Sequence, residues 1–218
     1  MSKLKMKEIA EVIEIMRGLY PEAECELHYK DKFQLLVAVV LSAQTTDKSV
    51  NQVTPLIFER FPGPEELAEA DISELETMLR HIGMYRTKSK NIKALSKMLI
   101  SEHGGQVPPR YEELIELPGV GRKTANVVLS VGFGVPRIAV DTHVFRLANR
   151  IGLTAEKDVL KTEIALMKVI PKDRWIMMHH ALIWHGRRIC IARNPRCDQC
   201  GISDLCRRNK VGGQEGMK

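Results

Sequence analysis

Four of the chain's five cysteines, Cys190, Cys197, Cys200 and Cys206, crowd together in a C-x6-C-x2-C-x5-C array. The start of the chain carries charge without a following apolar run, which does not read as a secretory signal. In a cytoplasmic setting such crowding points to a metal centre rather than to disulfides. Structural zinc takes two closely spaced ligand pairs, and here Cys197 and Cys200 alone have that form. An iron–sulfur cluster is larger and accepts four thiolates at irregular spacing. The spacing favours [4Fe–4S] and leaves zinc open. Between the first two ligands the segment IARNPR carries Arg193 and Arg196. Ligation at both ends would hold those arginines ready for phosphate contacts. Cys25 stands apart and reads as a small buried hydrophobe.

The second constellation lies upstream, in YEELIELPGVGRKTANVVLS. Pro118, Gly119, Val120 and Gly121 make a tight turn after a short helix, and a second helix begins near Arg122. Glycine there permits positive φ and close approach of a ligand to backbone amides. Those amides and the helix N-terminus together make an anion site suited to one phosphate. Such a contact positions a protein on a duplex without reading sequence. Lys123 follows in the first turn, where the helix dipole disfavours its charged form and lowers the cost of losing a proton. A neutral amine is a Schiff-base nucleophile. Asp141, in IAVDTHVF, stands at the start of another helix, where it serves equally as an N-cap.

The elements that must position these groups are helices. Ile9, Val12, Ile13, Met16 and Leu19 mark one amphipathic face, Ile72, Leu75, Met78, Leu79 and Ile82 a second, and Ile92, Leu95, Met98 and Leu99 a third. The stretch FQLLVAVVL from Phe33 to Leu41 is almost wholly apolar and does not alternate, as expected of a helix buried on every side, with Asp31 as its N-cap. Glycine and proline interrupt the pattern at Phe61–Pro64, Gly104–Pro109 and Val135–Pro136. No alternating strand pairs intervene, so the pattern predicts an all-α protein of about ten helices.

Composition narrows the class of partner. The formal charge is +6 and the pI about 9.1. Arg187, Arg188, Arg193, Arg196, Arg207, Arg208 and Lys210 are opposed in their stretch by Asp198 and Asp204 alone. A basic surface of that density favours a polyanion through counterion release. No apolar run approaches the ~18 residues a membrane span requires, so no membrane partner is expected.

Taken in order, LPGVGRKTANVVL, IAVDTHVFR, HHALIWHGRRIC and the cysteine array closely resemble the endonuclease III family of helix–hairpin–helix DNA glycosylases. The resemblance runs from CELHYKDKFQLLVAVVLSAQTTD to Cys206. It implies an all-α, two-domain fold: a six-helix domain over 25–134 holding the hairpin, and a cluster-containing helical domain made of 1–24 with 135–210. Residues 211–218 are expected to be a disordered tail. It also implies removal of oxidised pyrimidines from double-stranded DNA and cleavage of the resulting abasic site by β-elimination. Lys123 would be the nucleophile and Asp141 the catalytic aspartate. The four cysteines would ligate a [4Fe–4S] cluster that is not consumed in base excision.

In the same resemblance Gln44 matches the residue that fills the gap left by the flipped nucleotide. Met84 stands where the family commonly has a leucine wedge. Gly119, Val120, Gly121, Arg122, Arg193 and Arg196 would contact DNA, and Asp47 and His143 would line the lesion pocket. His179, His180 and His185 read as helix packing or support. A monomer acting in the cytoplasm on nucleoid DNA is expected. Two relatives in the superfamily, the adenine glycosylase of oxidised-guanine mispairs and a glycosylase for mismatched thymine, lack a lysine at the position of Lys123. A non-catalytic DNA clamp would leave Lys123 and Asp141 without a role.

Overall fold

The computed structural model describes residues 2–209 and Val211. Lys210 and, apart from Val211, the expected tail over 211–218 lie outside the described residues. Among the described residues there are eleven α-helices and no strand. The chain divides into two compact units, one of Glu26–Val135 and one of Met1–Cys25 with Pro136–Lys218.

The first helix, α1 (Met6–Leu19), belongs to the discontinuous unit; the next seven make the continuous one. At its centre is α2 (Lys32–Leu41), whose residues from Phe33 to Leu41 are all buried. Asp31 caps it by accepting from the Gln34 amide at 2.9 Å, as its place before the apolar run predicts. A helix without a polar face is stable only when neighbours cover every side, each large apolar side chain contributing roughly 1.5–3 kcal/mol on burial. That cover comes from α3 (Asp47–Arg60), α6 (Tyr85–His103) and α8 (Arg122–Phe133), while α4 (Pro64–Glu69) and α5 (Ile72–Leu79) pack on α6. A Cβ at Gly132 of α8 would come within 3.0 Å of the Leu35 side chain, so α8 lies close on α2. Single-turn α7 (Tyr111–Leu114) precedes α8. Gly134, in left-handed backbone at φ 65°, stops α8, and the Val135 amide donates back to the Leu129 carbonyl.

In the discontinuous unit, α9 (Thr142–Ile151), α10 (Val159–Val169) and α11 (Trp175–Arg188) join α1 around one apolar core that includes Val12, Met16, Val144, Leu147, Leu166, Met178 and Leu182. On α1, Ile9, Val12, Ile13 and Met16 are buried as their spacing predicts, but Leu19 is 45% exposed. It lies in the last turn and rests over Gly201 instead of the core. Cys25 is half-buried rather than buried and sits in the stretch between α1 and α2. The C-terminal segment returns to the start of the chain: Arg207 grips both Glu8 carboxylate oxygens at 2.7 Å, and Asn209 bonds Ser2.

Candidate active site and cluster cavity

In the turn between α7 and α8 one of the two glycines adopts the positive φ that the sequence predicts, while Gly121 is extended at φ −96°. Gly119 adopts φ 81°, and a Cβ built on it would lie 2.8 Å from the Asn91 side-chain nitrogen and 3.0 Å from the Asn91 Cβ. Position 119 is therefore restricted to glycine twice over, by backbone and by space. Val120 is buried and its amide closes the turn on the Leu117 carbonyl at 3.0 Å, anchoring the tip. Gly121 is the N-cap of α8 and has no side chain to satisfy the first amides of the helix. Around it the space a side chain would occupy is open. Gly121, Arg122 and Lys123 are exposed, and the Arg122 guanidinium lies over the Tyr111 ring, 5.8 Å from its centroid. The result is a helix N-terminus without a side-chain cap and with exposed Lys123 in its first turn, suited to one phosphate group.

In the same unit, Gln44 (φ 53°) and Met84 (φ 61°) are both non-glycine residues in left-handed backbone. Both are exposed, Met84 to 55%. Gln44 lies in the connection between α2 and α3, and Met84 is the N-cap of α6. Asp47, the first residue of α3, is half-buried next to the capping Thr46, which accepts from the Ser49 amide.

In the discontinuous unit a single helix carries several of the candidate residues. Asp141 is the N-cap of α9 and accepts from the Val144 amide at 2.8 Å. His143 follows, half-buried; burial pushes its pKa below the ordinary histidine value, Arg146 and Arg187 add to this, and Asp141 opposes it. The ring is thus neutral near pH 7. Arg146 Nη2 stands 3.2 Å from His143 Nδ1, and the Gly186 backbone hydrogen-bonds the same ring. Space for this pair exists because position 186 is glycine: a Cβ there would lie 3.1 Å from both the His143 Cβ and the Arg146 guanidinium.

One turn apart on α9, Arg146 and Arg150 reach across to the first cysteine. Arg146 donates to the Gly186 and Cys190 carbonyls at 2.9 Å, and Arg150 to the Ile191 and Ala192 carbonyls at 2.7 Å. Arg150 is also 3.7 Å from the Cys190 sulfur. These two arginines did not stand out in the sequence. Their signal was an i, i+4 pair of cations on a helix face opposite the apolar stripe, which normally reads as a solvated face. They hold the entry of the loop in which Arg193 and Arg196 are exposed. The basic run is otherwise not uniformly free for a polyanion, since Arg207 is committed to Glu8 and Arg188 stacks on Trp184 at 3.8 Å.

Cys190, Cys197, Cys200 and Cys206 line one small cavity of about 20 Å³, walled also by Ile151, Ile189, Pro195 and Ile202. Among the described residues no three His, Cys, Asp or Glu side chains converge closely enough to hold a single metal ion. Four thiols facing one cavity supply a four-thiolate ligand set, as an iron–sulfur cluster requires. Burial pushes the Cys200 and Cys206 thiols up from the usual value, so ligation must itself drive their deprotonation. His185 lies against them, 1% exposed, with Nε2 3.4 Å from the Cys200 sulfur and Nδ1 2.8 Å from the Tyr20 hydroxyl. With a thiolate at Cys200, Nε2–H donates to sulfur and Nδ1 accepts from Tyr20. Tyr20 had no signal in the sequence, being far from the array and in an unremarked turn.

Comparison with known proteins agrees with this geometry. Residues 37–172 match the HhH-GPD superfamily of base excision DNA repair proteins, and 190–206 match the iron–sulfur binding domain of endonuclease III. The chain is 47% identical to endonuclease III of Bacillus subtilis (strain 168) over 215 residues, 98% of each chain. It is 44% identical to that of Escherichia coli (strain K12), over 90% of this chain and 93% of the other. Among solved structures, a trapped endonuclease III–DNA covalent intermediate superposes with TM-score 0.90 at 48% identity, covering 94% of this chain and 97% of the other. A thermostable thymine-DNA glycosylase superposes at TM-score 0.82 and 23% identity, a likeness of fold alone.

Proposed function

The chain belongs to the endonuclease III family, and is a base-excision DNA glycosylase with abasic-site lyase activity and a [4Fe–4S] cluster; on that premise we propose that Lys123 is its nucleophile and Asp141 its catalytic carboxylate. The reading rests above all on the hairpin, where exposed Lys123 lies in the first turn of a helix whose leading amides Gly121 leaves without a side-chain cap.

The hairpin amides take one backbone phosphate of a duplex containing an oxidised pyrimidine, and Gln44 and Met84 enter the stack as the damaged nucleotide is extruded. Lys123 Nζ attacks the sugar C1′, the C1′–N bond breaks, and the base leaves with its electron pair and takes up a proton. Asp141 stabilises the positive charge that develops on the sugar. Ring opening gives an iminium between Nζ and C1′. The iminium acidifies the C2′ proton; its removal expels the 3′ phosphate and breaks the strand. Water then releases Lys123. His143 offers a polar contact for the displaced base, and Asp47 a second one, as the family positions they match imply.

Cys190, Cys197, Cys200 and Cys206 hold the cluster, whose contribution when bound is to tie the ends of the Arg193–Arg196 loop in place for a second phosphate contact. Among the described residues no helix is long and apolar enough to cross a membrane. The protein works as a monomer on DNA of the cytoplasmic nucleoid, one copy carrying both Lys123 and Asp141.

Borohydride reduction during turnover on an oxidised-pyrimidine or abasic duplex tests the assignment. The intact protein is trapped covalently on DNA, and Lys123→Ala is not. Trapping that survives Lys123→Ala would move the nucleophile to another amine.

A further inference from the structure

Lys88 is a lysine where a lysine is costly. It lies in the first turn of α6, is 4% exposed, and carries its charge at the helix end that disfavours cations. Burial pushes its pKa down from the usual lysine value. A methionine or leucine would fill the site at lower cost, so packing does not account for it.

What its side chain does is tie the Gln44 loop to the helix that begins at Met84. Its backbone amide makes the ordinary first-turn bond to the Met84 carbonyl at 3.0 Å, which fixes Lys88 to the N-cap. Its ammonium donates to the Thr45 hydroxyl at 2.7 Å, and that hydroxyl reaches the Ala43 carbonyl at 3.4 Å. Thr45 and Ala43 are the two neighbours of Gln44. The Gln44 backbone is thus clasped on both sides by one hydroxyl that Lys88 holds. The loops also touch: a Cβ at Gly83 would lie 3.8 Å from the Gln44 carbonyl oxygen.

We propose that Lys88 is a positioning residue, which sets Gln44 and Met84 at a fixed separation so that both enter the duplex together. The inference rests on the reading of Gln44 and Met84 as inserting residues. Holding two non-glycine residues in left-handed backbone costs energy in the free protein, and the Lys88–Thr45 bond keeps that cost out of the binding step. Affinity for a duplex with a gap to fill then depends on Lys88, although its side chain is too buried to touch DNA.

The test uses the full chain with its cluster and a duplex carrying a stable abasic analogue, with 2-aminopurine beside it as a fluorescent report of unstacking. Lys88→Met weakens binding to this duplex about tenfold, the effect of one lost charge-assisted hydrogen bond. It reduces the aminopurine signal, raises KM more than it lowers single-turnover kcat, and leaves binding to undamaged duplex unchanged. Thr45→Val reproduces these changes, Thr45→Ser restores them, and Lys88→Met with Thr45→Val is no worse than either alone. Should Lys88→Met fail to fold, the Thr45 pair carries the test. Undiminished selectivity for the gapped duplex in Thr45→Val or Lys88→Met overturns the proposal. If Gln44→Ala and Met84→Ala leave the aminopurine signal intact, the assignment of the inserting residues falls instead.

Discussion

Replacing Asp141 by asparagine and by alanine separates its two duties. The carboxylate accepts from the Val144 amide at 2.8 Å and so caps α9. Asparagine caps a helix as well as aspartate does, and loses only the favourable charge at the helix N-terminus, about 0.5 kcal/mol. Alanine loses the acceptor too, a further 1 kcal/mol or about that. In a chain of this size each kcal/mol lowers Tm by roughly 2–4 °C. Asp141→Ala therefore melts a few degrees below Asp141→Asn, which stays close to the parent. Catalysis follows a different order. Neither variant presents a negative charge to the cationic sugar, and removal of such a group lowers the chemical step by roughly 10²–10³ or more. Both variants lose single-turnover excision to a similar depth despite their different stabilities. The measurements are denaturant or thermal unfolding beside base release from an oxidised-pyrimidine duplex. An Asp141→Asn protein that excises at nearly the parental rate, with Asp141→Ala impaired in proportion to its stability, would reduce Asp141 to a cap.

Three further outcomes are expected. Gly119→Ala must place a side chain at φ 81° against Asn91, costing about 2 kcal/mol of stability, and it weakens binding to damaged and undamaged duplex alike, measured by titration at one salt concentration. Cys206→Ser removes one of the four thiols lining the cluster cavity; the purified protein loses its visible iron–sulfur absorption, and full retention of that band would remove Cys206 from the ligand set. His180 is buried and its pKa is pushed down to about 4 by burial, from 6.5. Its neutral form is thus the one the fold favours: the contribution to stability is complete above pH 6.5 and is lost as pH falls from there to about 4. At most about 3 kcal/mol is at stake, and His180→Gln flattens that part of the stability–pH curve.

Much of this protein is legible in one dimension because the relevant interactions are local. A helix cap bonds three residues ahead, so Asp31 and Asp141 announce their helices. The hairpin is four consecutive residues, one of which, Gly119, needs a conformation that glycine meets most readily, and the unbroken apolar run from Phe33 to Leu41 requires a helix covered on all sides. The cysteine spacing named a metal centre but left its kind open, because ligand separation in space is a tertiary quantity. The match of residues 190–206 to the iron–sulfur binding domain of endonuclease III answered that. The same holds for every group that acts through a partner far along the chain. Arg146 and Arg150 look like a solvated pair until α11 delivers Cys190 and its loop to them. His185 looks like packing until Cys200 and Tyr20 arrive at its two nitrogens. Lys88 is one lysine among many, and burial against Thr45 distinguishes it. Sequence alone determined which chemistry the chain carries and which short segments hold it, since those depend on residue type and spacing. Tertiary structure alone decided which polar groups are buried and what they touch, since that depends on how the apolar faces pack.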